Sequence, residues 1–141
     1  MTARPAILYA RETSLDVAEF RRVLVESGLG AIRPVDDSAR LAAMLAGAPL
    51  ILTARLQQAG HPLVGVARCV TDFAWCCYLS DLAVCAALKG VGVGTGLLNE
   101  ARRHLGPGVS LLLVSVPDAA GFYERAGMER TPNAFWSRRE R

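Results

Sequence analysis

The sequence lacks long apolar segments and carries no strong excess of charge of either sign. Its uncharged stretches run to about ten to fifteen residues and contain Gly, Pro, Ser or Thr, so none reaches the roughly 20 apolar residues of a membrane-spanning helix. The net charge of +3 is divided almost evenly between the two halves of the chain, which leaves no basic arm for nucleic acid. We therefore expect neither a membrane protein nor a nucleic-acid-binding protein.

Cysteine and histidine are also scarce. The four cysteines, at positions 69, 76, 77 and 85, form no CxxC pair and have no histidine at ligand spacing, which argues against a disulfide scaffold and a structural zinc site. No bound metal is expected. The amino terminus shows no long apolar segment followed by a small-residue cleavage site, so we expect a cytoplasmic location.

The residues that are present have the composition of a globular chain, with 52% hydrophobic and 21% charged residues. At 141 residues we expect one domain spanning residues 1–141. Apolar periodicity predicts an α/β fold, more closely an α+β mixed sheet whose faces are covered by helices. The predicted strands cover 5–10, 50–56, 63–70, 75–84 and 109–115, with one or two more in the tail 128–139; the predicted helices cover about 14–27, 38–47, 94–105 and 118–126.

The most informative segment is the glycine-rich turn Lys89–Gly96, which lies between a predicted buried strand and a predicted amphipathic helix. Glycines at 90, 92 and 94 allow successive backbone N–H groups to point into one concavity, and the start of the helix adds the positive end of its dipole. Such a site suits a phosphate. The spacing fits neither the dinucleotide fingerprint GxGxxG nor the Walker A motif.

This turn resembles the pyrophosphate-binding signature of the GNAT family of N-acetyltransferases, Gln/Arg-x-x-Gly-x-Gly/Ala. Here the signature reads Lys-Gly-Val-Gly-Val-Gly over residues 89–94. Residues 79–84 resemble that family's fourth strand, and residues 119–128 resemble its FYxxxGF segment, with Met128 in place of the final Phe. The resemblance implies a central, mostly antiparallel sheet in which strands 4 and 5 splay apart to admit acetyl-CoA.

The resemblance also implies the cofactor-binding residues. Backbone groups of Leu82, Ala83 and Val84 would bind the pantetheine arm and the acetyl carbonyl, with the N–H near Leu82 as an oxyanion donor. The pyrophosphate would lie on the backbone N–H groups of Lys89, Gly90, Val91, Gly92, Val93, Gly94 and Thr95. Three positions depart from the family pattern: Lys89 replaces Gln or Arg, Val91 replaces a frequent cation, and Val116 replaces a frequent Asn.

Two catalytic residues are implied as well. Tyr123 matches the family's general-acid tyrosine, whose phenol would protonate the departing thiolate, although a packing role is the alternative. Asp81 is the one carboxylate in the predicted fourth strand and is the candidate general base. The alternative is a structural role, in which Asp81 caps a bulge or pairs with an arginine such as Arg68 or Arg125. Water or a substrate group would then act as the base.

The function implied is transfer of an acetyl group from acetyl-CoA to a primary amine, by direct attack in a ternary complex. The acceptor would be a small molecule or a peptide, and its identity stays open. The alternative is a non-catalytic CoA-binding or regulatory module of the same fold. Trp75, Tyr78 and Trp136 would line an acceptor pocket or else be core and rim aromatics. A homodimer formed through sheet edges or the last strand is a further possibility implied by the family.

Overall fold

A computed structural model describes residues 4–140, in which five strands form one sheet in the order β1-β2-β3-β4-β5. The first four strands pair antiparallel with their neighbours, and β5 pairs parallel to β4. The predicted mostly antiparallel mixed sheet is thus confirmed. The strands are β1 (Ile7–Arg11), β2 (Leu50–Leu56), β3 (Leu63–Thr71), β4 (Cys76–Val84) and β5 (Ser110–Leu112).

Four α-helices accompany the sheet: α1 (Val17–Ser27), α2 (Ser38–Ala46), α3 (Val93–Leu105) and α4 (Ala120–Arg125). The first begins later than the predicted residue 14, because Asp16 is its N-cap and accepts a hydrogen bond from the Glu19 N–H at 3.0 Å. Asp37 caps α2 in the same way through the Arg40 N–H. A 3₁₀ turn, Leu29–Ile32, follows α1.

The core forms where α1 and α3 pack against the middle of the sheet. The buried side chains of α1 are Phe20, Val23 and Leu24, at helical spacing. In β3, seven consecutive residues from Leu63 to Cys69 are buried, as expected for a strand with helices on both faces. Gly65 permits the close approach of α3, since a Cβ there would meet Val93 and Leu97.

Gly96 has a packing role that differs from that of the glycines before it. It lies within α3 and faces β1, where a Cβ atom would overlap the ring and hydroxyl of Tyr9. Only glycine fits this contact without movement of the tyrosine. The first strand and the third helix are therefore held together at the turn's last glycine.

The carboxyl-terminal tail differs from its prediction. Residues 128–139 contain no strand, and residues 129–140 are exposed, with Phe135 99% exposed. The alternation of residues in this segment predicted strands, but a strand needs a hydrogen-bonded neighbour and the tail has none within the described chain. The fifth strand is also shorter than the predicted 109–115, because its pairing with β4 ends at Leu112.

Candidate active site

The sheet opens between β4 and β5, and this opening creates a cleft. Pairing of the two strands is confined to Cys76–Ser110, Cys77–Leu111 and Tyr78–Leu112, so the rest of β4 has no strand on that side. The predicted splay of strands 4 and 5 is present. The resulting β4–β5 cleft has a volume of about 890 Å³ and is lined by β4, by the start of α3, by α4 and by the end of α1 with its 3₁₀ turn.

The free edge of β4 presents backbone groups of alternate residues to this cleft. The N–H of Cys85 donates to the Val64 carbonyl of β3 at 2.8 Å, and successive residues of a strand direct their backbone groups to opposite sides. Ala83 therefore faces β3, whereas Leu82 and Val84 face the cleft. Of the three β4 residues predicted to bind the pantetheine arm, two have backbone groups available there.

The glycine-rich turn brings a set of backbone N–H groups to the same cleft. Gly90 and Gly92 have φ angles of 86° and 89°, in the left-handed region that favours glycine. Gly92 is the N-cap of α3 and no side chain caps that helix. The first N–H groups of α3 consequently have no acceptor within the helix. These unpaired N–H groups belong to Gly92, Val93, Gly94 and Thr95.

Two of the seven predicted backbone groups are engaged elsewhere. The Lys89 N–H donates to the Ala86 carbonyl at 3.2 Å, and the Val91 N–H donates to the Leu88 carbonyl at 3.4 Å. Both bonds belong to the turn that precedes α3. The Lys89 ammonium lines the cleft and donates to the Ser27 carbonyl at 2.9 Å. Lys89 therefore offers its side-chain charge to this cleft.

Tyr123 lies on α4 and lines the β4–β5 cleft beside the β4 residues Leu82 and Val84. Its ring is half-buried and packs edge-to-face on Phe122, with ring centroids 5.0 Å apart. Phe122 in turn contacts Gly94, where a Cβ would come within 3.1 Å of its ring. Burial raises the pKa of the Tyr123 phenol above its ordinary value of 10.0, so the hydroxyl is protonated at neutral pH.

Asp81 lies in a different environment from the one expected of a base. Its side chain is fully buried and bridges two arginines: Oδ1 accepts from Arg33 Nε at 2.5 Å, and Oδ2 accepts from Arg68 Nε. Arg68 is directly opposite Asp81 on β3. Of the arginines predicted as structural partners, Arg68 is thus the one in contact. Because both oxygens are bound by cations, the contacts do not favour proton abstraction by Asp81.

The second guanidinium, that of Arg33, is the contact of Asp81 that the sequence did not predict. Arg33 follows the 3₁₀ turn after α1 and is 48 residues from Asp81 in sequence. It also donates to the Ser80 carbonyl at 2.8 Å. The signal in the sequence was indirect: a carboxylate within an apolar strand needs a partner, but no spacing identifies a partner that distant.

A second cleft adjoins the first and contains both arginines. This arginine cleft has a volume of about 740 Å³ and shares Leu82 and Tyr123, among other residues, with the β4–β5 cleft. Tyr78 and Trp136, two of the three aromatics considered for an acceptor pocket, line it. Trp75 does not line it and is 78% exposed.

The cysteines take no part in either cleft. Cys85 is buried and its thiol donates to Glu26 at 3.2 Å, and burial raises the pKa of that thiol to about 11. Cys76 is exposed and Cys77 buried, on opposite sides of the sheet. Among residues 4–140, no group of three or more His, Cys, Asp or Glu side chains is arranged to hold a metal ion. In the same range, no helix combines the length and apolar character that crossing a membrane requires.

Comparisons with known structures give the same fold. An acetyltransferase of the GNAT family from Streptococcus pneumoniae superposes with a TM-score of 0.70 at 21% identity, covering 96% of this chain and 100% of that chain. Glucosamine-6-phosphate N-acetyltransferase from Arabidopsis thaliana gives a TM-score of 0.67 at 12% identity, covering 94% and 98%.

A third solved structure with this fold is an aminoglycoside acetyltransferase from an uncultured soil metagenomic sample, in complex with sisomicin. Its TM-score is 0.66 at 15% identity, and the match covers 94% of this chain and 97% of that chain. A search of curated protein sequences gave no match. The model of the acetyltransferase (GNAT) family matches residues 19–128, which is most of the sequence. The chain therefore belongs to the GNAT family of acetyltransferases, as the motifs around the glycine-rich turn predicted.

Proposed function

We propose that this chain transfers an acetyl group from acetyl-CoA to a primary amine, by direct attack in a ternary complex. The observation that carries the proposal is the convergence of three groups in the β4–β5 cleft: the uncapped start of α3, the free edge of β4 and the phenol of Tyr123. Each supplies one requirement of the reaction, namely binding of a diphosphate, alignment of an extended arm, and protonation of a thiolate leaving group.

The residues of the cleft fit coenzyme A. Its diphosphate would lie on the N–H groups of Gly92, Val93, Gly94 and Thr95, where unpaired donors and the helix dipole favour an anion. The Lys89 ammonium adds a positive charge at the rim, but without the planar fork of arginine. The pantetheine amides would pair with the outward-facing backbone of Leu82 and Val84, as an added strand would.

We assign the general-acid role to Tyr123. Acetyl-CoA supplies the thioester, and transfer forms a C–N bond while the C–S bond breaks, with one proton lost from nitrogen and one gained by sulfur. A phenol kept protonated by burial can donate that second proton. The N–H of Leu82, which faces the cleft, would donate to the acetyl oxygen as negative charge develops there.

Removal of the proton from the amine is assigned to water. Asp81 has both carboxylate oxygens bound by guanidinium groups and is fully buried, so it is neither free to accept a proton nor exposed to the acceptor. Its role in this proposal is to hold Arg33 and Arg68 in place. Water entering the open clefts reaches the amine without any such constraint.

The acceptor is an amine of a small molecule or a peptide. The two structural neighbours named for their acceptors act on very different amines, a phosphorylated amino sugar and an aminoglycoside. The fold therefore leaves the acceptor class to the side chains of each chain. The relevant side chains here are those that line the arginine cleft.

Release of free thiol from acetyl-CoA in the presence of a panel of amines tests the proposed function. We expect amine-dependent thiol release, with the acetylated amine as the second product in equal amount. Tight binding of CoA by calorimetry without thiol release for any amine would contradict the enzyme and support the non-catalytic CoA-binding module instead.

A further inference from the structure

The charged side chains that line the arginine cleft are all positive. Five arginines line it, Arg33, Arg40, Arg68, Arg138 and Arg139, and no carboxylate does so among the described residues. Asp81 is buried and contacts two of these guanidiniums, so its single negative charge balances only one of them. One positive charge thus remains uncompensated within the buried cluster, before the exposed arginines of the tail are counted.

The guanidinium groups in the floor of this cleft retain hydrogen-bond donors. In Arg33, Nη1 donates to the Ile32 carbonyl at 3.0 Å and Nη2 to the Ser80 carbonyl at 2.8 Å. Each of these nitrogens carries two hydrogens, so a second N–H on each is left for another acceptor. The salt bridge to Asp81 uses Nε and fixes the plane of the group. A guanidinium held in this way is suited to a carboxylate or phosphate.

The arginine cleft lies next to the place where the proposed reaction would occur. Tyr123 and Leu82 line both clefts, so a molecule in the arginine cleft borders the thioester end of the β4–β5 cleft. Tyr78 and Trp136 provide apolar surface in the same cleft, and Arg138 lies over the Trp136 ring at 4.3 Å from its centroid. A cationic acceptor such as a polyamine would meet like charge here, whereas an anionic one would neutralise it.

We propose that the acceptor is an amine that also carries a carboxylate or phosphate, and that Arg33 and the tail arginines Arg138 and Arg139 bind this anionic group. The inference rests on the proposed function and names its substrate class. Carboxylate and phosphate share the chemistry that the guanidiniums recognise, so the test contains an arm for each.

Binding is measured first, because it is independent of turnover. The protein is saturated with CoA to fill the diphosphate site, and calorimetry then compares 2-aminoethyl phosphate with ethanolamine, and each of a set of L-amino acids with its amide. We expect at least one anionic member to bind about tenfold to 100-fold more tightly than its neutral partner, as for a charge-assisted hydrogen bond.

Two variants and a control test which arginines bind the anionic group of the amine. Arg33→Gln and the double variant R138Q/R139Q are expected to lower affinity for the anionic amine about tenfold or more, while affinity for CoA stays unchanged. The tail arginines are exposed, so their replacement keeps the inference testable if Arg33→Gln fails to fold. Arg103→Gln, on α3 and outside both clefts, should change neither affinity.

The outcomes separate the two proposals. Anionic amines that bind through these arginines without thiol release would uphold the acceptor class and contradict the enzyme. Thiol release that favours neutral or cationic amines such as spermidine, or anionic binding unaffected by R138Q/R139Q and Arg33→Gln, would overturn the acceptor class and leave acetyl transfer intact. Absence of any anionic preference in binding would overturn it as well.

Discussion

Tyr123 on α4 and Asp81 on β4 have surroundings that suit different tasks. The tyrosine lines both clefts and is half-buried, and burial keeps its phenol neutral and able to donate a proton. The aspartate is buried between two guanidiniums and lines neither cleft. The surroundings of the two side chains that the sequence predicted as acid and base therefore favour a proton donor at Tyr123 and a structural anion at Asp81.

Replacing Tyr123 by phenylalanine tests the donor. The ring and its packing on Phe122 are retained while the hydroxyl is lost, so kcat should fall about 10² to 10⁴-fold and the Kd for CoA should stay the same. Because burial raises the phenol pKa above 10.0, ionisation of Tyr123 should not reduce wild-type kcat below about pH 10. Steady-state rates across pH measure both effects. Unchanged kcat in the variant would remove Tyr123 from the mechanism.

Replacing Asp81 by asparagine tests the structural anion. Two guanidiniums would then face a neutral amide, and the free energy of unfolding should fall by about 3 to 5 kcal/mol. Asp36→Asn serves as the control, since that carboxylate is 97% exposed and its removal should change stability little. Urea unfolding gives both values. If Asp81 were the base, kcat per folded molecule would collapse and the pH profile would change, in addition to the loss of stability.

Helix α3 carries the proposed anion site at its amino end, and a glycine with a positive φ flanks the helix at each end. Gly92 at the amino end and Gly106 at the carboxyl end have φ angles of 89° and 77°, and a Cβ at either would meet nothing within 4 Å. Gly92, with ψ of 10°, has the left-handed helical conformation, whereas Gly106, with ψ of 178°, is extended at positive φ, a conformation almost restricted to glycine. A side chain is therefore strained at both positions, and more so at Gly106. Only Gly92 borders the β4–β5 cleft.

We expect Gly92→Ala to lower stability by about 1 to 2 kcal/mol, from its left-handed backbone, and Gly106→Ala to lower it by at least as much. Gly92→Ala alone should weaken CoA binding, by about tenfold or more, because the N–H groups of the turn would shift away from a shared anion. Thermal unfolding and calorimetric titration with CoA measure the two effects. Equal CoA affinity in both variants would place the diphosphate elsewhere.

Some helices and strands could be predicted from the periodicity of the sequence, and others could not. The continuous apolar residues of β2 and β3 and the helical spacing in α3 identified those elements, since local periodicity reports burial directly. The tail was predicted as strand from alternation, but a strand also depends on a partner that periodicity does not report. The Arg33–Asp81 contact could not be predicted either, because only the folded chain brings these two residues together.

At the scale of the whole molecule, the opening of the sheet determines where chemistry can occur. Beyond Tyr78, β4 separates from β5, and one edge of β4 is left unpaired. The start of α3 lies at the same cleft as this edge. Tyr123 lines both this cleft and the arginine cleft. The β4–β5 cleft joins a helix start to a strand edge, as an extended anionic cofactor requires, and the arginine cleft carries the positive charge. In the proposed reaction, acetyl-CoA would enter through the first cleft and the amine through the second, and the two would meet at Tyr123.

A crystal structure of the complex with coenzyme A would show whether the β4–β5 cleft is the cofactor site. We expect the diphosphate within hydrogen-bond distance of the N–H groups of residues 92–95, the pantetheine paired with Leu82 and Val84, and the thiol beside the Tyr123 hydroxyl. A diphosphate bound by the arginines of the second cleft, or a thiol remote from Tyr123, would contradict this expectation.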